Sequence, residues 1–567
     1  MLAVGIDLGT THSLISVLRE NGSVELIKGA DGNVLTPSVV GLSDKNTLLV
    51  GNAARARLVR SPNTTVAAVK RNIGTEKKYS LGNQSYNSSE ISALILRKLK
   101  ADLDAIEPEV PIETLVISVP AYFNSAQRDA TVLAAELAGL PRPHLINEPT
   151  AAAMAYGLHD KGIEQTIMVL DLGGGTFDVS IVEMFEGVME VRSSSGDTKL
   201  GGEDFTQIIV DDMISKSSAN WEKLPKEDQA KVIATAEAIK RRLSEQEQAS
   251  SNVVILDRML EYSLSRSKFE ELCGSVVLKM RRPIEQALYD AKLTAEQIDR
   301  IVLVGGATRM LMVRSLAARI LRKLPESGLD PDQVVAYGAA VQAGLISNDA
   351  ALSDVIMTDV APFSLGIRSN VRTATGEIPN GFAPIIERNT ILPASRMSNF
   401  TTISEGQTEI AIKVYQGESP IAEENVKIGS TLVRVPPNKP GKESVAVRFS
   451  YDTSGLLHVE VTVNSTGLTQ ELVIENNARS MSASEKRDRL RALDVFKVHP
   501  RDTEENLVLL ERLKRLYAML LGIDRAHIMD LIAEFEGVLD RQDPREVARY
   551  KDQLVATIEN LERNYVR

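Results

Sequence analysis

Two short stretches limit what this chain can become. "GIDLGTTHS" (Gly5 to Ser13) and "LDLGGGTFDVS" (Leu170 to Ser180) share one design. Each is an apolar, strand-like run that ends in Asp-Leu-Gly and continues into small and hydroxyl residues. A strand of this kind leading into a glycine turn exposes backbone N–H groups that can hold phosphate oxygens. Asp7 and Asp171 stand at the strand ends, where a carboxylate can position a hydrated Mg²⁺. Either copy alone reads as a tight hairpin. Two copies in the same phase suggest a clamp that grips a nucleotide from both sides, with Gly9, Thr10, Thr11 and His12 on one arm. Gly173, Gly174, Gly175, Thr176 and Asp178 form the other. No GxxxxGK[ST] motif occurs, and no GxGxxG follows a strand, so neither a P-loop nor a dinucleotide fold is expected.

The remaining texture divides the chain. With 567 residues, several domains are expected. Residues 1–347 alternate Ile/Val-rich strands with helical patterns, as in an α/β fold. From about residue 360 to 475 the pattern becomes period two. Ile410, Ile412 and Val414 share one face, and Leu457, Val459, Val461 and Val463 another, with "YDTSG" as a hairpin turn. From Ser482 the pattern is helical: "SASE" fits a capping box, and Pro544 in "DPRE" fits a first helical position. Leu513, Leu516, Tyr517 and Leu520 form one apolar stripe, and Val547, Tyr550, Leu554, Ile558 and Leu561 a second.

Composition closes several routes. Net charge is −11, and no long basic run occurs, so nucleic acid is not expected as a partner. The single Cys273 precludes an internal disulfide and reads as a small core residue. Histidines are scarce and no Cys cluster exists, which argues against a zinc enzyme. Neither a signal peptide nor an apolar membrane span is seen, so a cytoplasmic protein is expected.

Taken together, "GIDLGTTHS", "AAVKRNIG", "VPAYFNSAQRDAT", "INEPTAAAMAYG", "LDLGGGTFDVSI", "GDTKLGGEDF", "LVGGATRM" and "DPDQVVAYGAAVQAG" resemble the seventy-kilodalton heat-shock (DnaK-like) chaperone family. The likeness is greatest to its specialised short bacterial members (HscC-like). It continues through "DVAPFSLGI", "VYQGE" and "GLLHVEV" and weakens after about residue 476.

The resemblance implies an actin-like two-lobed ATPase domain over 1–347, a linker over 348–358, a β-sandwich peptide-binding domain over 359–475, and a helical lid over 476–567. It implies ATP hydrolysis to ADP and phosphate, coupled to binding and release of extended apolar segments of unfolded clients. Lys70 then matches the residue that orients the attacking water. Glu148, Asp7, Asp171 and Asp178 match carboxylates around Mg²⁺, its waters and K⁺, and Thr176 a γ-phosphate contact. Gly201 and Gly202 fall near the phosphates. Glu237, Lys240, Arg241 and Ser244 match one wall of the adenosine pocket, and Gly305, Gly306, Arg309 and Asp332 the other. Ile367, Phe400, Thr401, Ile403, Ile410 and Ile412 match the peptide pocket, although the isoleucines also read as ordinary core. Pro120, Arg128, Val355, Ile356, Met357 and Asp359 match the interdomain relay.

Some features depart from the family. "GTEKKYSLGNQSYNSSE" and "NVVILDRMLEYSLSRSKFE" are short where an exchange factor commonly docks. That puts this partner in doubt and suggests fast intrinsic ADP release. His144 replaces a usual Arg near the J-domain surface, so a dedicated J-domain co-chaperone is expected. Thr358 replaces an apolar linker residue, and "RSNVRTATGEIPNGFAP" is a longer loop than usual. His12 replaces Asn or Tyr, as a pH-sensitive contact or as packing. A monomer is expected. Two other classes stay open: a small-molecule kinase of the same fold, which would need no linker, β domain or lid, and a binding-only relative that uses ATP as a clamp.

Overall fold

The computed structural model describes residues 1–157, 164–185, 188–217, 219–256, 258–326, 328–347, 356–373, 376–452, 455–475, 500–520 and 522–565. The chain forms two compact units that divide between Phe363 and Ser364.

The first unit contains two sheets built on one plan. Strand Leu2–Leu8 runs parallel to Ile112–Val119 and antiparallel to His12–Leu18, with Asp7 opposite Leu14. Strand Gln165–Leu172 runs parallel to Arg300–Val304 and antiparallel to Phe177–Phe185, with Asp171 opposite Asp178. Each Asp-Leu-Gly therefore ends the strand that is flanked by one parallel and one antiparallel neighbour. These central strands are buried on both faces, which explains their near-continuous apolar runs. Helices Ser88–Ile106 and Ser125–Leu137 lie with the first sheet, each started by an Asn capping box. Helices Gly202–Ser217, Lys226–Glu245 and Gly274–Ala291 build the second core with Phe177, Phe205, Ile239 and Met280. Cys273 is buried in that core, and burial pushes its thiol up to about 12, so it stays an inert thiol.

The two Ala-rich helices, Glu148–Gly157 and Val334–Ile346, pack against each other. A Cβ at Gly338 would strike the Ala151 carbonyl, so only glycine permits this approach.

Of the span expected as linker, 348–355 lies outside the described residues, including Val355. Ile356–Val360 forms a strand paired in parallel with Val188–Asp197 of the second sheet, Ile356 opposite Val188. The chain thus stays with the first unit beyond residue 358, because this strand extends an existing sheet edge.

The second unit holds two four-stranded antiparallel sheets. One orders Gly376–Ile386, Leu365–Thr373, Glu409–Gln416 and Val426–Arg434. The other orders Ala394–Thr401, Ser444–Tyr451, Leu456–Val463 and Thr469–Glu475. Leu457, Val459, Val461 and Val463 are buried as their alternation requires. His458 is buried as well, so the opposite face of that strand is covered too. Helices Glu504–Met519, Gly522–Arg541 and Pro544–Tyr565 pack around Leu513, Leu516, Phe535, Leu554 and Ile558. Pro544 opens its helix, and Asp543 accepts from the Arg545 amide. The expected cap at Ser482 lies outside the described residues. Among the described residues, no helix is long and apolar enough to cross a membrane.

Candidate functional site

The two Asp-Leu-Gly hairpins meet. A Cβ at Gly174 of the second would collide with the Thr11 hydroxyl of the first, so the arms approach as closely as glycine allows. Between them opens a cleft of about 760 Å³. Asp7, Gly9, Thr10, Thr11, His12, Lys70, Glu148, Asp171, Gly173, Gly174 and Thr176 line its floor and near walls. Gly202, Glu237, Lys240, Arg241, Ser244, Gly305, Gly306, Arg309 and Asp332 line the far wall. Gly175, Gly201 and Asp178 stand just behind this lining. The Gly201 amide donates to Asp204, and the Gly202 amide to the Gly173 carbonyl, which fixes this loop against the second hairpin.

Acids crowd the floor. Asp7, Glu148, Asp171 and Asp178 are all at least largely buried, and Lys70 supplies a compensating cation. Lys70 Nζ lies 2.5 Å from Glu148 Oε1, with both side chains nearly inaccessible. Burial alone would lower the Lys70 ammonium. Glu148, Asp7 and Asp171 outweigh it, and the ammonium is held above its ordinary value. Burial and Glu148 push Asp7 up to about 7, although Lys70 and the Ser118 hydroxyl at 2.9 Å oppose this. Burial, then Glu148, pushes Asp178 up to about 8, and Asp171 is raised in the same direction. The Tyr122 backbone, which faces the enclosed Asp178 carboxyl, opposes that rise. Four enclosed carboxylates around a single lysine leave an excess of buried negative charge, the donor set a hard, hydrated divalent cation would satisfy, so these residues fit Mg²⁺.

The far wall is tightly ordered. Glu237 accepts from Thr206 at 2.6 Å and pairs with Lys240 at 2.6 Å and Arg241 at 2.8 Å. These partners outweigh the opposing effect of burial and hold its carboxyl down at about 2. Arg309 pairs with Asp330 at 2.6 Å and Asp332 at 2.9 Å. Arg241 and Arg309 therefore present their flat guanidinium groups already charge-paired.

His12 sits beside Arg55, with Nε2 3.4 Å from its Nη1. Burial, then Arg55 and Arg241, lower the imidazole to about 4. At that value the ring is neutral between pH 6 and 8, which favours packing over a pH-sensitive contact.

Two arginines were not singled out from sequence. Arg71 reaches from the first lobe to the second, pairing with Glu203 at 2.9 Å and Asp204 at 2.7 Å. Among the described residues it is the ion-pair bridge across the cleft. Arg55 lines the rim of the cleft. Arg71 follows Lys70 in "AVKRNIG", so its position in that motif was the available signal.

Pro120 is buried near Arg128, whose Nη2 donates to Asn147 Oδ1 at 2.7 Å. Asn147 Nδ2 in turn donates to Asp359 Oδ2 at 2.9 Å. Asp359 is fully enclosed, and its burial raises the carboxyl. Two of the expected relay residues, Arg128 and Asp359, thus join through Asn147, which the sequence reading left out. Of the others, Ile356 and Met357 lie in the strand described above.

In the second unit, Ile367 and Ile412 are buried in the sandwich. Ile410 and Phe400 are half-buried, Thr401 is exposed, and Ile403 is 65% exposed. Ile410 and Ile412 lie on one strand and Ile367 on its neighbour, whereas Phe400 and Thr401 end a strand of the other sheet.

A cleft between two lobes, each lending one Asp-Leu-Gly hairpin, defines an actin-like nucleotide-hydrolysing fold, here followed by a β-sandwich and a helical lid. Comparison with known proteins supplies the family. The model of the family described as "Hsp70 protein" matches residues 3–515. The chain is 41% identical over 485 residues to the chaperone protein DnaK of Thermotoga maritima, covering 83% of this chain and 80% of that one. It is 42% identical over 485 residues to the DnaK of Thermosipho africanus, covering 83% and 79%. The chain belongs to the Hsp70 family. It is an ATP-dependent molecular chaperone, and its ATPase activity is coupled to chaperone work.

Proposed function

We propose that hydrolysis occurs on the floor of the cleft through Lys70, Glu148, Asp171 and Thr176. Thr10, Thr11 and the amides of both glycine turns hold the phosphates. The Thr176 hydroxyl donates to the γ-phosphate. Lys70, held by Glu148, orients the attacking water. Asp171, raised by burial, accepts the proton as water bonds to the γ-phosphorus and the bond to the ADP oxygen breaks. Asp7, Asp171 and Asp178 would hold Mg²⁺ largely through its waters, and Mg²⁺ and K⁺ would supply neutralisation of phosphate charge there. Glu237, Lys240, Arg241, Ser244, Gly305, Gly306, Arg309 and Asp332 hold the adenosine.

In this reading the ATPase domain covers 1–347 and the segment after it is the linker. The β domain binds extended apolar peptides at Ile367, Phe400, Thr401, Ile403, Ile410 and Ile412, under the helical lid. Pro120, Arg128 and Asp359 carry nucleotide state between the units. The protein works as a cytoplasmic monomer of the short specialised bacterial kind, with a dedicated J-domain co-chaperone and intrinsically fast ADP release.

The observation that carries the proposal is the Lys70–Glu148 pair, buried at the meeting point of the two hairpins. Single-turnover ATP hydrolysis, with and without an unfolded peptide, tests it. Peptide should accelerate the wild type, and Lys70→Ala should abolish that acceleration. Transfer of phosphate to a metabolite instead of water would refute it. A large acceleration of ADP release by a DnaK-type exchange factor would overturn the release proposal alone.

A further inference from the structure

Strand Leu456–Val463 buries Leu457, Val459 and Val461 on one face. His458 and Glu460 point to the other face, and the antiparallel register sets Glu471 of the next strand opposite Glu460. This outer face should be wet, yet His458 is only 3% exposed. Neither of its ring nitrogens has a hydrogen-bond partner among the described residues. An imidazole always carries at least one N–H donor and, when neutral, one acceptor, so burying both without partners is unfavourable.

Carboxylates flank the ring at distances too long for hydrogen bonds. Nε2 is 3.4 Å from Glu471 Oε2, and Nδ1 is 3.8 Å from Glu460 Oε2. One ligand atom from each of the three residues lies within 4.8 Å of the other two. Like charges set directly across a strand pair repel. A divalent cation between them would cancel that repulsion and give the buried imidazole lone pair a partner.

The spacing suits such an ion. Two donors 3.4 Å apart subtend about 110° at a metal roughly 2.0–2.1 Å from each, close to a tetrahedral angle. Glu460 faces Nδ1, the other ring nitrogen, so it turns to share an ion held between Nε2 and Glu471. One imidazole with two carboxylates favours a borderline cation of the zinc class over Mg²⁺ or Ca²⁺, which prefer all-oxygen shells. The geometry points to a zinc-class metal site at His458, Glu460 and Glu471, which ties together the last two strands of the sandwich. A competing arrangement leaves His458 between the two glutamates without a metal, with Arg448 in register opposite Glu460 on the other neighbouring strand.

The test uses the full chain in excess Mg²⁺, so that the acids of the nucleotide cleft are already covered. Zn²⁺ is titrated calorimetrically into wild type, His458→Gln and Glu471→Gln. The wild type should take up one more equivalent than His458→Gln, and Glu471→Gln should bind that equivalent at least tenfold more weakly. X-ray absorption of the zinc-loaded wild type should show one imidazole among oxygen donors. Glu471 is exposed, so its variant keeps the fold even if His458→Gln does not. Equal stoichiometry and affinity in wild type and Glu471→Gln would overturn the site and leave the metal-free arrangement.

Discussion

Replacing Lys70 by Ala should affect both stability and chemistry, and the two effects can be read separately. Lys70 and Glu148 are 6% and 7% exposed and 2.5 Å apart. Removing one partner of a buried pair costs about 3–5 kcal/mol, because the remaining charge stays desolvated. Here the remaining charge is a glutamate beside Asp7, Asp171 and Asp178, so the upper part of that range applies when all are ionised. Protonation offers relief: Asp7 and Asp178 already sit at about 7 and about 8. The penalty should therefore be largest at pH 8.5 and shrink by pH 6. The only tryptophan, Trp221, packs on the second-lobe core and reports unfolding of this unit in denaturant. Single-turnover hydrolysis reports the chemistry, where loss of one positioned charge should slow the step by about 10²–10³-fold. A stability change below about 1 kcal/mol at pH 8.5, the scale of an exposed pair, together with near-wild-type hydrolysis, would refute the reasoning.

Further expectations concern single contacts. Arg71→Ala removes the ion-pair bridge to Glu203 and Asp204, and stopped-flow release of fluorescent ADP should quicken several-fold. His12→Asn should leave the pH dependence of nucleotide affinity unchanged between pH 6 and 8, as titration calorimetry would show, because His12 titrates near 4. Ile403→Ser, at a 65% exposed position, should weaken peptide binding by anisotropy with little loss of stability. Ile412→Ala, at 1% exposure, should cost about 2–4 kcal/mol in denaturant unfolding. Without Mg²⁺, the raised folded-state values of Asp7 and Asp178 mean that the folded unit binds more protons than the unfolded chain above pH 4. Their contribution to stability should fall as pH rises towards 8, and Asp178→Asn should flatten part of that decline.

The paired hairpins were legible because their signal is local: an apolar strand, an acid at its end and a glycine turn, written twice in phase. Asp7 and Asp171 could be placed from that pattern alone. Lys70 could not, since an isolated lysine carries no mark of the buried glutamate it meets; only the family pattern pointed to it. Arg71 carries no local mark of Glu203 and Asp204, which lie far along the chain in the other lobe, and Arg55 and Asn147 meet partners that only tertiary packing brings close. Period-two alternation gave the buried face of Leu456–Val463. It could not show that the opposite face, with His458, is covered as well. Ile356–Thr358, expected as linker, pair with the edge of the second sheet, and sequence alone cannot tell an edge strand from a docked linker.

The account turns on nucleotide in the first unit controlling peptide in the second. The most direct measurement is the dissociation rate of a fluorescent, extended apolar peptide before and after adding Mg²⁺-ATP, in wild type and in the Asn147→Ala variant. ATP should speed release at least tenfold in the wild type and much less when the Arg128–Asn147–Asp359 chain is cut. A dissociation rate that ignores ATP in the wild type would contradict the account.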